Sequence, residues 1–332
     1  MLRLHSYQFH RPRSLDAALE LVTAHPDDSM LIAGGTDVMP NMKHRLFTPN
    51  HVIGIKGLPE LRGIHTTHDE LVIGASETLS DVAHSPLVRK HATALAQAAG
   101  SVAGPQLRNM GTIGGNLCLD TRCTYYNQTF FWRNALGFCL KKDGTVCHVT
   151  KVGKKCVAAH SADTPPVLMT LNAVVDLASP QGTRSVTVEN FFIADGIWNS
   201  VRRRDEIVTR VRIPLPRASV ITSFTKVRQR NSIDFPLLNI AVAADLESDV
   251  VRDMRIVVSA LGSRPRAVSG LDKAAIGQAL TAETIDAAAE RAFQQCHPLE
   301  NIIVDPDWRR EMVRIYVRRA LRGLLHEAPS AA

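Results

Sequence analysis

The sequence predicts an α+β protein of two domains, residues 1–216 and 217–332, on three observations. Short β-type runs alternate with helical runs as far as Pro214, Pro216 and Arg217, the pattern of packed helix and strand layers. Beyond that proline boundary, three strand-like runs precede three helical ones, which fits helices packed on one face of an antiparallel sheet. A chain of 332 residues with 45% hydrophobic content has the apolar surface for more than one core, which excludes disorder over most of its length.

Each element has a local cause. Leu15, Ala18, Leu19 and Val22 recur at helical spacing behind Ser14, a capping residue, so 14–25 is helix. Met30–Ala33 is a short buried strand running into Gly34, Gly35, Thr36 and Asp37, with a helix starting at Val38. Strands follow at 51–55 and 70–74, and Thr78 caps a helix to His84. The Ala- and Leu-rich stretch 87–102 predicts one buried helix, and the glycine-rich stretch 104–116 a structured loop. Helix then strand over 164–177, a strand at 183–188, a short helix at 188–192 and a strand at 207–213 complete the first domain. In the second, strands are expected at 223–228, 238–246 and 254–261, and helices at 271–280, 282–296 and 306–324.

Residues 118–157 break this pattern and read as an insert. Five of the six cysteines (Cys118, Cys123, Cys139, Cys147, Cys156) fall within 39 residues there, with six aromatics. Seven cations (Arg122, Arg133, Lys141, Lys142, Lys151, Lys154, Lys155) face only Asp120 and Asp143, an excess of +5 out of a chain total of +7. The N-terminus lacks the apolar stretch of a signal peptide and no run is long enough to span a membrane, so the expected location is the cytoplasm. In that reducing compartment the cysteines are thiols, redox groups or metal ligands rather than a disulfide framework.

Two glycine-rich turns carry a binding chemistry, Leu31–Val38 (LIAGGTDV) and Thr112–Asn116 (TIGGN). Glycine lets a backbone approach a bound group and aim successive N–H groups at an anion such as a diphosphate. Neither turn matches the Rossmann fingerprint or the phosphate loop. Two turns about 80 residues apart fit a clamp on an extended dinucleotide, while each alone also fits a simple tight turn.

Cys123, Cys139, Cys147 and Cys156 are separated by 15, 7 and 8 residues and lack the close pair of a zinc knuckle. Spacing alone leaves iron–sulfur, zinc and plain buried thiols open. The local positive charge favours an anionic 4Fe-4S cluster. Cys118 reads as a small buried thiol packed beside the second turn. His148, His160, Asp163 and Lys226 are further polar residues of interest, each equally readable as an ordinary structural or surface group.

The combination LIAGGTDVMPNMK, QLRNMGTIGGN and KVRQRNSIDFPLL resembles the FAD-binding medium subunits of the xanthine oxidase (molybdenum hydroxylase) family along nearly the whole chain. The segment from Asn116 to Cys156 resembles the extra loop of the 4-hydroxybenzoyl-CoA reductase β subunit, which holds a 4Fe-4S cluster and is missing from most medium subunits. The first turn has Ala33, Gly34 and Gly35 where that reductase has Gly-Ala-Gly, the form of the wider family.

The resemblance implies a vanillyl-alcohol-oxidase (PCMH) type FAD-binding domain of two subdomains, carrying the iron–sulfur insert and followed by a C-terminal α+β domain. By it, Leu31, Ile32, Ala33, Gly34, Gly35, Thr36, Asp37 and Val38, together with Thr112, Ile113, Gly114, Gly115 and Asn116, would hold the FAD diphosphate. Val102 would line the cofactor site, Asp163 and Lys226 would lie near the ribityl chain or ring, and Cys123, Cys139, Cys147 and Cys156 would ligate the cluster. No catalytic residue is expected on this chain. The implied partners are a molybdenum-cofactor large subunit and a 2Fe-2S small subunit, in a heterohexamer of two heterotrimers, with ferredoxin as electron donor for dehydroxylation of 4-hydroxybenzoyl-CoA. A hydroxylase or aldehyde dehydrogenase subunit with outward electron flow is the alternative within the family. A zinc-stabilised nucleic-acid-binding protein is the alternative outside it, and leaves both glycine turns unexplained.

Overall fold

The computed structural model describes residues 2–150 and 153–327, so Lys151 of the insert lies outside the described residues. The first subdomain comprises β1 (Gln8–His10), α1 (Leu15–Ala24), β2 (Ser29–Ile32), α2 (Val38–Lys43) and β3 (His51–Gly54). Ser14 caps α1 by accepting the Ala17 N–H, and the helix buries Ala18, Leu19 and Val22. The strands form a parallel sheet in the order β1-β3-β2. Its core joins α1 to Ile53, Leu58 and Leu61.

The second subdomain is larger. It runs through β4 (Ile64–Thr66), β5 (Glu70–Gly74), α3 (Leu79–His84), α4 (Pro86–His91), α5 (Thr93–Ser101), α6 (Pro105–Arg108) and α7 (Ile113–Leu117). After α8 (Phe130–Leu136) in the insert come α9 (Thr164–Thr170), β6 (Val174–Ser179), β7 (Gly182–Thr187), α10 (Val188–Phe191) and β8 (Ile207–Pro214). The five strands pair antiparallel in the order β4-β5-β8-β6-β7. Two expectations change here. The single helix over 87–102 breaks at Ala92 (φ −149°, ψ 57°), which lets the alanine faces of α3 to α5 turn onto one core, packing that outweighs Ala92's own helix preference. The loop over 104–116 holds α6 and α7, short turns started by Pro105 and by Thr112, whose hydroxyl accepts the Gly115 N–H.

The C-terminal part holds β9 (Val220–Val227), β10 (Leu238–Glu247), β11 (Val250–Ser259), β12 (Arg266–Ala267), α11 (Leu271–Ala274), α12 (Ala282–Gln295) and α13 (Pro306–Glu327). Its sheet is antiparallel, β12-β11-β10-β9. β10 is buried on both faces. Ile240, Val242 and Ala244 pack with α12 and α13, while Ala241 joins the core of the second subdomain, which explains the nearly unbroken apolar run LNIAVAA. The helix expected over 271–280 stops at Ala274, because Ala275 leaves helical geometry and Gly277 takes a left-handed φ of +82°.

The insert is closed at its mouth and clasped from outside. Arg122 and Ala159 exchange backbone hydrogen bonds of 2.8 and 2.7 Å. Asn301, between α12 and α13, accepts the Thr124 N–H at 2.9 Å through its carbonyl and donates its side-chain N–H to Val157 O at 2.7 Å, so one distant residue grips both ends. Arg309, fully buried, braces Asn301 and donates to the Leu237, Ala260 and Leu299 carbonyls.

Candidate functional site

A cleft of about 840 Å³ lies between the two N-terminal subdomains, with residues of the C-terminal part on its rim. Every residue of the expected FAD set lines it except Ile32 and Ile113. Ile113 is fully buried in the second core, and the Ile32 side chain lies beneath the turn, where its Cδ1 would stand 3.1 Å from a Cβ on Gly35. The glycines answer to specific geometry. A Cβ on Gly34 would lie 2.0 Å from the Met110 carbonyl oxygen, so the first turn touches the chain leading into the second. Gly35 has φ +71°, a conformation that favours glycine.

The two turns differ in what they offer an anion. Among the described residues no backbone carbonyl receives the N–H of Gly34, Gly35 or Thr36. In the second turn the N–H of Ile113 goes to Glu77 O, that of Gly114 to Ala75 O and that of Gly115 to Thr112 Oγ1. The first turn therefore offers a run of open donors, whereas those of Ile113 to Asn116 in the second are taken and that turn contributes mainly close approach. A site that size, with open backbone donors at its glycine turn and both apolar and charged side chains along its walls, fits a large dinucleotide.

At the cleft floor Lys226 on β9 donates to Asp163 Oδ2 at 2.7 Å, and Asn239 on β10 donates to Asp163 Oδ1 at 2.9 Å. Asp163 and Lys226 are both almost fully buried, and burial pushes the Asp163 carboxyl pKa up against the pull of Lys226. Val102 follows α5 and lines the same cleft.

Cys123, Cys139, Cys147 and Cys156 line one small second pocket beside this cleft. The latter three are buried, and burial together with the nearby Cys156, Cys139 and Cys147 pushes the Cys123 thiol up to about 11. Among the described residues no three His, Cys, Asp or Glu side chains converge on a single ion. Four thiols around a pocket fit the donor set of a polynuclear cluster, which holds its ligands further apart than one ion does. Cys118 is not the buried thiol expected; it is exposed on the cleft wall, outside the cysteine pocket. His148 borders the pocket and meets the Phe138 carbonyl. His160 lies apart, fully buried at the junction with the C-terminal part, with Nδ1 3.2 Å from Ser259 Oγ and its ring edge-on to Phe192.

The insert's positive charge is less free than its sequence implies. Arg122 bonds Asp37 of the first turn and stacks 4.1 Å from the Phe235 ring centroid. Arg133, with no exposed surface, donates to Asp143 Oδ2 at 3.0 Å and to Arg45 O, and Lys141 pairs with Asp120 at 2.7 Å. Lys154 and Lys155 remain exposed. Arg122, Lys141, Phe235, Trp198 and Arg202 all line the cleft and were not singled out as cofactor residues from sequence; Arg122 and Lys141 stood out only as part of the insert's charge excess, and the consecutive arginines 202–204 are a further signal that could have pointed to Arg202.

Residues 5–216 match the model of the FAD-binding domain in molybdopterin dehydrogenases, and 223–324 that of the CO dehydrogenase flavoprotein C-terminal domain. The chain belongs to the molybdopterin dehydrogenase FAD-binding family. As a member it is an FAD-binding oxidoreductase subunit of the molybdenum hydroxylase type. The carbon monoxide dehydrogenase medium chain of Hydrogenophaga pseudoflava is 28% identical over 320 residues, 96% of either chain. The nicotine 6-hydroxylase medium subunit of Paenarthrobacter nicotinovorans is 26% identical over 321 residues, 96% of this chain and 98% of that one. A chain of the solved H. pseudoflava carbon monoxide dehydrogenase superposes with a TM-score of 0.82 at 27% identity, over 98% of this chain and all of the other. Among the described residues no helix is long and apolar enough to cross a membrane.

Proposed function

We propose that this chain is the flavin and iron–sulfur electron-transfer subunit of a molybdenum-dependent enzyme. The observation that carries the iron–sulfur part is the meeting of Cys123, Cys139, Cys147 and Cys156, scattered over 34 residues, around one pocket that shares Tyr126 and Lys141 with the FAD cleft. A 4Fe-4S cluster bound there exchanges single electrons and FAD one or two, which is the chemistry such a subunit supplies. In this reading Gly34, Gly35 and Thr36 present N–H groups to the FAD diphosphate, with Leu31, Ile32, Ala33, Asp37 and Val38 shaping the first turn. Thr112, Ile113, Gly114, Gly115 and Asn116 form the second wall, Val102 adds an apolar surface, and the buried Asp163–Lys226 pair sets a fixed dipole at the cleft floor. Substrate chemistry belongs to a molybdenum-cofactor large subunit reached through a 2Fe-2S small subunit, in a heterohexamer of two heterotrimers in the cytoplasm.

The insert's likeness to that of 4-hydroxybenzoyl-CoA reductase supports inward flow, from ferredoxin through this subunit to reductive dehydroxylation of an aromatic acyl-CoA. A second reading, outward flow in a hydroxylase or dehydrogenase, is favoured by the relatives, whose names are those of carbon monoxide and nicotine enzymes. Assay of the co-purified complex decides between them: benzoyl-CoA formed with reduced ferredoxin supports the first, and dye reduction by an oxidisable substrate without it supports the second. For the cluster itself, Cys139→Ser is expected to lose iron while keeping FAD, and unchanged iron content removes Cys139 from the ligand set.

A further inference from the structure

Two side chains, Tyr126 and Lys141, belong to the linings of both the FAD cleft and the cysteine pocket. The Lys141 side chain is only 4% exposed. Its ammonium lies 4.6 Å from the Tyr126 ring centroid and donates to Asp120 Oδ1 at 2.7 Å, to Thr121 Oγ1 at 2.8 Å and to the Gly196 carbonyl, which uses all three of its protons. Tyr126 donates its hydroxyl to the other oxygen of Asp120 at 2.8 Å. Asp120 borders the cleft and not the cysteine pocket. The pair is therefore asymmetric: its carboxylate belongs to a residue of the cleft alone, and its ammonium to a residue of both linings. Burying an ammonium is expensive, and lysine is a poor choice where only packing is at stake.

We infer that Lys141 is an electrostatic bridge between the two sites, a fixed positive charge that stabilises an added electron on the cysteine-bound group, with Tyr126 filling the wall beside it. The inference rests on the flavin and iron–sulfur reading above. A lysine that merely tied Asp120, Thr121 and Gly196 together would leave the reduction potential of that group unmoved.

Redox titration of the full chain followed by electron paramagnetic resonance, with iron and flavin counted on the same samples, tests this. Lys141→Met is expected to keep its iron and to lower the reduction equilibrium of the cluster about tenfold, a fall of about 59 mV for a one-electron step. Lys141→Arg, which keeps the charge, is expected to restore the midpoint. Asp120→Asn removes the counter-charge and is expected to move the midpoint upward, and it carries the test if Lys141→Met sheds its iron. An unmoved midpoint in the variants that retain iron, an equal fall in Lys141→Arg, or loss of iron from both Lys141→Met and Asp120→Asn overturns the bridge. A wild-type chain that carries flavin but no iron overturns the iron–sulfur reading itself, and the bridge with it.

Discussion

His160 offers a prediction whose size follows from its surroundings. The ring is fully buried, its Nε2 has no hydrogen-bond partner among the described residues, and burial lowers its pKa from 6.5 to about 3. The unfolded chain therefore takes up a proton near pH 6.5 that the folded chain refuses until about pH 3. Because the unfolded state binds the extra proton, stability is lost as pH falls through that window. At pH 7 the penalty is small; at pH 5 it reaches about 2 kcal/mol, one and a half pH steps below the unfolded value at about 1.4 kcal/mol each. Urea unfolding of the wild type and of His160→Leu at both pH values isolates this term from the other titrating groups. The wild type is expected to lose about 2 kcal/mol more than the variant between pH 7 and pH 5. Equal losses in the two proteins would refute the assignment of His160 as a buried neutral imidazole.

Further outcomes follow from the cleft. Gly34→Ala drives a methyl group into the Met110 carbonyl, and is expected to cost about 1–3 kcal/mol of stability and to lower the flavin-to-protein ratio; full flavin occupancy would separate this contact from cofactor binding. Lys226→Met strands the buried Asp163 carboxylate and is expected to destabilise the chain by about 3–5 kcal/mol, with much of the loss recovered when Asp163→Asn is added. An unfolding midpoint unchanged by Lys226→Met would show that the pair contributes no such constraint.

Features encoded over a few neighbouring residues were legible in the sequence. Ser14 and Thr78 cap helices where expected, and the strand, glycine turn, helix junction at 29–43 needs only a local reading of apolar run and glycine. What escaped depends on partners far along the chain. Ala92 carries no breaker chemistry, and its kink is imposed by the core it serves. Asp163 and Lys226 each drew notice, yet their pairing across 63 positions is a product of the fold. In the sequence the insert's cations count only as a net excess of +5, whereas in the fold Arg122, Arg133 and Lys141 are each matched to a carboxylate, Asp37 in the first case lying 85 positions away.

The grip of Asn301 on both ends of the insert also sets a clock. Val157 leaves the ribosome 144 positions before the side chain that will hold its carbonyl. At roughly 5–20 residues per second, that gap is on the order of ten seconds of synthesis during which the loop and its thiols have no clasp. The clasp therefore awaits synthesis past residue 301, whereas the Arg122–Ala159 pairing at the insert's mouth needs nothing beyond residue 159. Asn301 thus divides synthesis into a stage when the insert is held at its mouth alone and a stage when it is held from outside as well.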